Sequence, residues 1–249
     1  MAFKLAKMGF DIYMTNNSGV EYSQVHDVYT VDQPEFWLMD WSKYGVYDLP
    51  AAVKEIQART GVKKVAIVGH SQGTTQTFAG LAQIPEWYDE NISISALMGP
   101  CTSPNQKYFI DMYTKENWDF LTSNGIYVIA GPNWEEYRKL IMASGLQSLI
   151  DTVLMAEHLP NNPIQAVGAY AQTSISNRFQ KYNEDWFDYT EANDGAIPNA
   201  DLMDFGMVTK SKVAMYVGLF DDTCPLTTAV DIHTQLGENT VAKWVVAPW

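Results

Sequence analysis

The feature that most constrains this chain is a short apolar run, Val65-Ala66-Ile67-Val68, that breaks at once into Gly69-His70-Ser71-Gln72-Gly73. An unbroken run of β-branched and small apolar residues reads as a strand buried on both faces of a parallel sheet. The residues from Thr74 to Gln83 then read as a helix. A serine flanked two positions away by glycines, between such a strand and such a helix, is the pattern of a nucleophile elbow. With Gly and Ser each near 7% of residues, the bare motif arises by chance in roughly one chain of this length in twelve. The motif alone is therefore modest evidence, and the strand before it and the helix after it decide the reading. The sharp turn presents the Ser71 hydroxyl at the carboxyl end of the strand, with Gly69 and Gly73 leaving room for strand and helix to pack. His70 sits inside the elbow and cannot act as base to its neighbour. The backbone N–H of Gln72, at the positive end of the helix, is placed to donate to an oxyanion.

The rest of the chain supplies an α/β framework. Ala2 to Gly9 has helical apolar spacing, Phe10–Met14 reads as a short strand, and 49–60 reads as a helix with Asp48 as N-cap and Gly61 closing it. Ile92–Met98 is another buried strand. Helices and strands thus alternate through the first hundred residues, as in a doubly wound, mostly parallel sheet. We expect three sections. Residues 1–103 form the first part of the core. Residues 104–207, rich in Tyr, Trp, Asn and Asp, form a helical insertion with runs near 134–143, 145–156 and 164–178 and no buried strand. Residues 208–249 return to the core with a strand at 213–219, a helix over about 226–237 and a strand at 241–246.

A nucleophilic serine needs a base, and the base an orienting carboxylate. In elbow-bearing folds the acid follows a late strand and the histidine comes last. Asp221 lies just past the strand 213–219; Asp222 competes with it, or caps the following helix. The four histidines are His26, His70, His158 and His233. His26 and His158 precede the acid, and His233 falls on the helix 226–237 as a surface residue. The base is expected after the strand 241–246. We therefore expect N-terminal strands and the C-terminal end of the fold, with the histidine, to lie outside these 249 residues.

Composition narrows the classes. Hydrophobic residues at 47% and charged residues at 18% describe a folded globular chain. The net charge of −13 argues against nucleic-acid binding and against adsorption to anionic lipid. No apolar run approaches the ~18 residues of a membrane span, and Met1–Gly9, with two lysines, does not read as a signal peptide. Cys101 and Cys224 read as buried free thiols rather than a bridge. No metal cluster, phosphate loop or cofactor motif stands out, so the chemistry calls for no cofactor.

Several segments together resemble the gastric and lysosomal acid lipase family. They are Leu5–Ile12, Asn16–Gly19 with Tyr22, Ser23 and His26, Glu35-Phe36-Trp37, Tyr47-Asp48-Leu49-Pro50-Ala51, Gly69–Thr75 and Gln83–Glu86. The likeness is strong over 1–100, loose through 101–207 and visible again over 208–230. It departs at Ser18, where the family usually has arginine. The resemblance implies an α/β-hydrolase fold with a helical cap, Ser71 as nucleophile, a Gln72 oxyanion amide and Asp221 as triad acid. It further implies hydrolysis of lipid esters, triacylglycerols or sterol esters, in a lysosomal or secreted setting, with transient contact with lipid interfaces. The cap aromatics Trp118, Trp134, Tyr137, Tyr170 and Trp186 would cover the acyl site or simply form the cap's own core. The rival readings are a silent hydrolase-fold protein that binds lipid or a partner, and an acyltransferase using the same serine.

Overall fold

The computed structural model describes residues 1–105, 107–131, 133–156, 161–237 and 241–247. After α1 (Ala2–Lys7), a long irregular stretch leads to α2 (Trp41–Lys43), which widens into a π-helical turn (Tyr44–Asp48) and continues as α3 (Leu49–Thr60). Gly61, with φ of 74°, closes that helix. Then come β1 (Val65–His70), α4 (Gln72–Gln83), α5 (Pro85–Asn91) and β2 (Ile92–Met98). The stretch that follows holds α6 (Lys107–Met112), α7 (Lys115–Ser123), β3 (Val128–Ile129), α8 (Trp134–Ser144), α9 (Gln147–Ala156), β4 (Asn162–Pro163), α10 (Ile164–Ser176) and α11 (Trp186–Ala192). The chain ends in β5 (Val213–Gly218), α12 (Leu226–Leu236) and β6 (Val241–Ala247).

The main sheet has the order β1-β2-β5-β6, and each neighbouring pair is parallel. Parallel pairing forces every connection to cross over the sheet. Helices α4 and α5 carry β1 to β2, and α12 carries β5 to β6. The fold is α/β, as the alternation of elements predicts. Its core joins Phe78 and Leu81 of α4, Tyr88 of α5, Leu97 of β2, Val213, Met215 and Val217 of β5, and Ile232 of α12. Helix α4 is seated by a backbone contact. A Cβ on Gly45 would lie 2.1 Å from the Gln76 carbonyl, and one on Gly80 2.5 Å from the Gly45 carbonyl. The buried Tyr88 hydroxyl donates to Gly45 O at 2.9 Å across the same contact.

Several expectations need correction. Phe10–Met14 forms no strand. A strand is stable only against a lateral partner, and these residues instead line an open groove with Val65, Ala66 and Val68. In β1 itself Ile67 and Gly69 are buried while Ala66, Val68 and His70 are exposed. Its unbroken hydrophobicity therefore reflects one packed face and one face turned to that groove. Between β2 and β5 the three expected helical runs are present as α8, α9 and α10, but β3 and β4 also make a small antiparallel pair, with Val128 and Ile129 buried. Finally, Cys101 and Cys224 are not free thiols: they form a disulfide across 123 positions of sequence, and both are buried. His158 lies outside the described residues. The cap aromatics pack among themselves and their neighbours: Trp118, Trp134 and Tyr137 against a cluster with Leu121 and Ile141, Trp186 against Tyr113, and Tyr170 against Trp41.

Asp48 does not cap α3 either. It lies within continuous helix and makes no side-chain cap hydrogen bond. Its carboxylate instead accepts from Ser18 N at 2.6 Å and Ser18 Oγ at 2.9 Å. A hydroxyl and an amide thus serve the carboxylate at the position where the resemblance would put arginine. Burial pushes the Asp48 carboxyl above its usual range, and the two bonds from Ser18 only partly offset this. A carboxyl whose folded value is raised holds its proton more tightly when folded, so stability declines as pH rises from the unfolded value through the folded one. We expect Asp48→Asn to flatten this decline. Between about pH 4 and pH 7 the urea midpoint of the variant should fall less than that of the parent; equal falls would contradict the assignment.

Candidate active site

Because all four strands run parallel, their carboxyl ends share one edge of the sheet. The register aligns His70 with Met98, Met98 with Tyr216, and Gly218 with Ala247. Ser71, Gly99 and the 219–224 loop therefore emerge side by side. Ligand and catalytic groups gather at this edge in open α/β sheets.

Ser71 is exposed and adopts φ 52°, ψ −119° as the residue before α4. Positive φ is strained for a residue with a Cβ, by about 1–3 kcal/mol, and persists only where the surroundings impose it. Here they do so from both sides. The Ser71 amide extends the ladder by donating to Met98 O at 3.1 Å. Its carbonyl accepts from Thr74 N at 2.8 Å and from Thr74 Oγ1 at 2.6 Å. The turn is tight enough that a Cβ on Gly69 would lie 2.7 Å from Gly73 O. Gly73 is different: a Cβ there would meet nothing within 4 Å. The expectation that both flanking glycines make room holds only for Gly69. Gln72 opens α4, so its N–H is among the amides left without an intrahelical acceptor.

Asp221 stands just beyond β5, half-buried, with Oδ1 accepting from Thr223 N at 3.0 Å and Cys224 N at 2.9 Å. Its Oδ2 lies 3.5 Å from where a Cβ on Gly99 would be, so the carboxylate rests over the end of β2, the strand next to Ser71's own. Asp222 is exposed, and α12 begins after Pro225 without a side-chain cap. The helix cap expected of Asp222 is not made, and it is Asp221 Oδ1 that accepts from the amides of the turn. Three histidines lie among the described residues. His26 Nδ1 accepts from Val28 N and Tyr29 N at 3.0 Å, His70 ends β1, and His233 is half-buried on α12. Among the described residues no histidine hydrogen-bonds Ser71.

Several contacts that shape this edge escaped the sequence reading. Thr74 Oγ1 accepts from Cys101 N at 3.0 Å, and Thr75 Oγ1 donates to Cys101 O. The buried Tyr170 hydroxyl of α10 donates to Thr75 Oγ1 at 3.1 Å. Ser103 and Ser174 tie α10 to the same loop through Thr173 O and Pro104 O. The visible signal was the Thr-Thr pair after the elbow, but its partners lie 26 and 95 positions away. Among the described residues no group of His, Cys, Asp and Glu side chains is arranged to hold a metal ion.

Residues 1–133 match the family described as alpha/beta hydrolase fold. Human lysosomal acid lipase/cholesteryl ester hydrolase is 41% identical over 113 residues, which cover 43% of this chain and 28% of that protein. Bovine gastric triacylglycerol lipase is 28% identical over 218 residues, covering 75% of this chain and 52% of that protein. The chain thus spans between about a quarter and a half of the length of these relatives.

The two elbow glycines should respond in opposite ways to the same methyl group. Gly69→Ala should destabilise the protein by about 1–3 kcal/mol through overpacking. Gly73→Ala, in open space on a helix, should be neutral or stabilising by up to about 1 kcal/mol. Denaturant melts of the two variants decide it, and equal losses would refute the geometry of the turn.

Proposed function

Since this chain belongs to the α/β-hydrolase fold family, we propose that it carries the nucleophile and the orienting acid of a serine hydrolase acting on carboxylic esters of lipids. The observation that carries the reading is the strained, exposed Ser71 at the head of α4, with the Asp221 carboxylate over the neighbouring strand end on the same edge. Ser71 Oγ attacks the ester carbonyl and gives its proton to an imidazole base, while the Gln72 N–H donates to the oxyanion. The base passes that proton to the departing alcohol, leaving an acyl-serine. Water then attacks the acyl-serine, freeing the acid and restoring Ser71. Asp221 Oδ1 is held by two amides, which leaves Oδ2 to accept from the base and fix its tautomer. Strands β1 and β5 are separated by one strand, roughly 10 Å. An imidazole hydrogen-bonded through one nitrogen to each of the two side chains would bridge that gap.

The names of the relatives support the substrate class, triacylglycerols or sterol esters, and a lysosomal or secreted setting; a buried disulfide accords with an oxidising compartment. Residues 104–207 would form the cap over the acyl group, with 1–103 and 208–249 as the core. No helix of the described residues is long and apolar enough to cross a membrane.

The test uses the full-length protein, with hydrolysis of a soluble nitrophenyl ester and of an emulsified triacylglycerol as readouts. Ser71→Ala should lower kcat by about 10³-fold or more, Asp221→Asn by about 10²–10⁴-fold, and Asp222→Asn by no more than about threefold. Full activity in Ser71→Ala would reject the reading. Products that carry the acyl group on an added alcohol rather than on water would mark an acyltransferase.

A further inference from the structure

The disulfide occupies an unusual place in this architecture. Cys101 lies three residues past the end of β2 and Cys224 three residues past Asp221, so the bridge fastens the loop beyond one strand to the loop beyond its neighbour. Each half-cystine is also bonded through its backbone to one of the two candidate catalytic segments. Cys101 N donates to Thr74 Oγ1, which in turn donates to the Ser71 carbonyl, and Cys101 O accepts from Thr75 Oγ1. On the other side Cys224 N donates to Asp221 Oδ1 at 2.9 Å. A second strap runs parallel to the bridge, Asn105 N donating to Thr223 O at 2.7 Å. An unbroken series of bonds thus runs from Ser71 through Thr74, Cys101, the two sulfurs and Cys224 to the Asp221 carboxylate.

We propose that the Cys101–Cys224 disulfide is a positioning device for catalysis, holding the Asp221 loop at a fixed offset from the Ser71 turn and making turnover depend on the oxidised state. The proposal rests on the serine hydrolase reading above. Its physical basis is the exposure of the residues that lead into Asp221, set against the burial of the bridge. Phe220 is 72% exposed and Leu219 45% exposed, so hydrophobic packing does little to seat the residues just before Asp221. Backbone bonds from Asn105 N to Thr223 O and from Asp221 N to Gly218 O also touch the loop. Both cysteines, by contrast, are at most 4% exposed, and Cys101 is gripped on both sides by threonines of α4. Without the covalent link, Cys224 N and the carboxylate it holds are free to drift together, away from the elbow. A displacement of about 1 Å in a positioning group suffices for a loss near 10²-fold. Reduction by a dithiol would convert the bridge to two thiols, taking two electrons and two protons from the reagent, which leaves as its cyclic disulfide.

The experiment is a double-mutant cycle in the full-length protein between the pair Cys101→Ala/Cys224→Ala and Asp221→Asn, with rates per active site titrated by a fluorophosphonate. Removing the bridge should lower kcat on a soluble ester by about 10–100-fold, with KM changed by no more than about twofold. Once the bridge is gone, Asp221→Asn should cost far less than it does in the parent, because both changes remove one function. A purely structural bridge would lower the unfolding midpoint and the number of active sites while leaving kcat per site and the cost of Asp221→Asn unchanged; that outcome overturns the proposal and leaves the hydrolase reading standing. If Asp221→Asn costs nothing in the parent, both fall. Should the cysteine pair fail to fold, the cycle is repeated on folded oxidised protein reduced with dithiothreitol, with two alkylated thiols counted by mass. Unchanged kcat after confirmed reduction overturns the proposal equally.

Discussion

The carboxyl edge of this sheet depends on one tight turn of backbone, from Gly69 to Gly73, that holds Ser71 at a positive φ. The parallel strand delivers the chain to the edge, and the helix must start at once to cross back over the sheet. The serine is caught between those two demands. Its amide is committed to Met98 and its carbonyl to Thr74, so the strain has nowhere to relax. The same geometry brings the positive end of α4 to the hydroxyl, where a developing anion would be stabilised. Structural necessity and the proposed chemistry would coincide at this residue.

The turn is embedded in a polar lattice that binds separate parts of the chain. Threonines of α4 hold the Cys101 loop, the disulfide ties that loop to the one bearing Asp221, and α10 is pinned to α4 by Tyr170 and to the Cys101 loop by Ser103 and Ser174. Buried polar groups are tolerated here because they satisfy one another. A further network inside the helical stretch follows the same rule. Gln172 donates to the Tyr113 hydroxyl and to Asn183 O, and accepts from Asn183 N. Burial pushes the Tyr113 phenol up to about 12, so it remains a neutral hydrogen-bonding group throughout the ordinary pH range.

What could be read in the sequence was whatever local chemistry decides. The elbow was legible because strand, serine and helix are contiguous. The helix at 49–60 was legible from its apolar face and the closing Gly61, and Asp221 from its distance to a strand end. What could not be read depended on neighbours remote in sequence. Phe10–Met14 has strand-like residues but no lateral partner in the ladder. Asp48 resembles a cap until the π-helical turn before it is known, after which its carboxylate is seen to serve Ser18. The disulfide was hidden because nothing local reveals that β2 and β5 are adjacent. Cysteine count suggested thiols, and topology made a bridge. The contact between Gly45 and Gly80 is similar: each glycine is unremarkable alone, and together they let α4 reach the preceding helix.

Covalent trapping puts the proposed role of Ser71 as nucleophile to the sharpest test. The full-length protein would be treated with a fluorophosphonate, digested, and the modified peptide sequenced by mass spectrometry. A single phosphonyl adduct on Ser71 is expected, with loss of ester hydrolysis in step with labelling. An adduct on another residue, or an unlabelled protein that still hydrolyses esters, would contradict it.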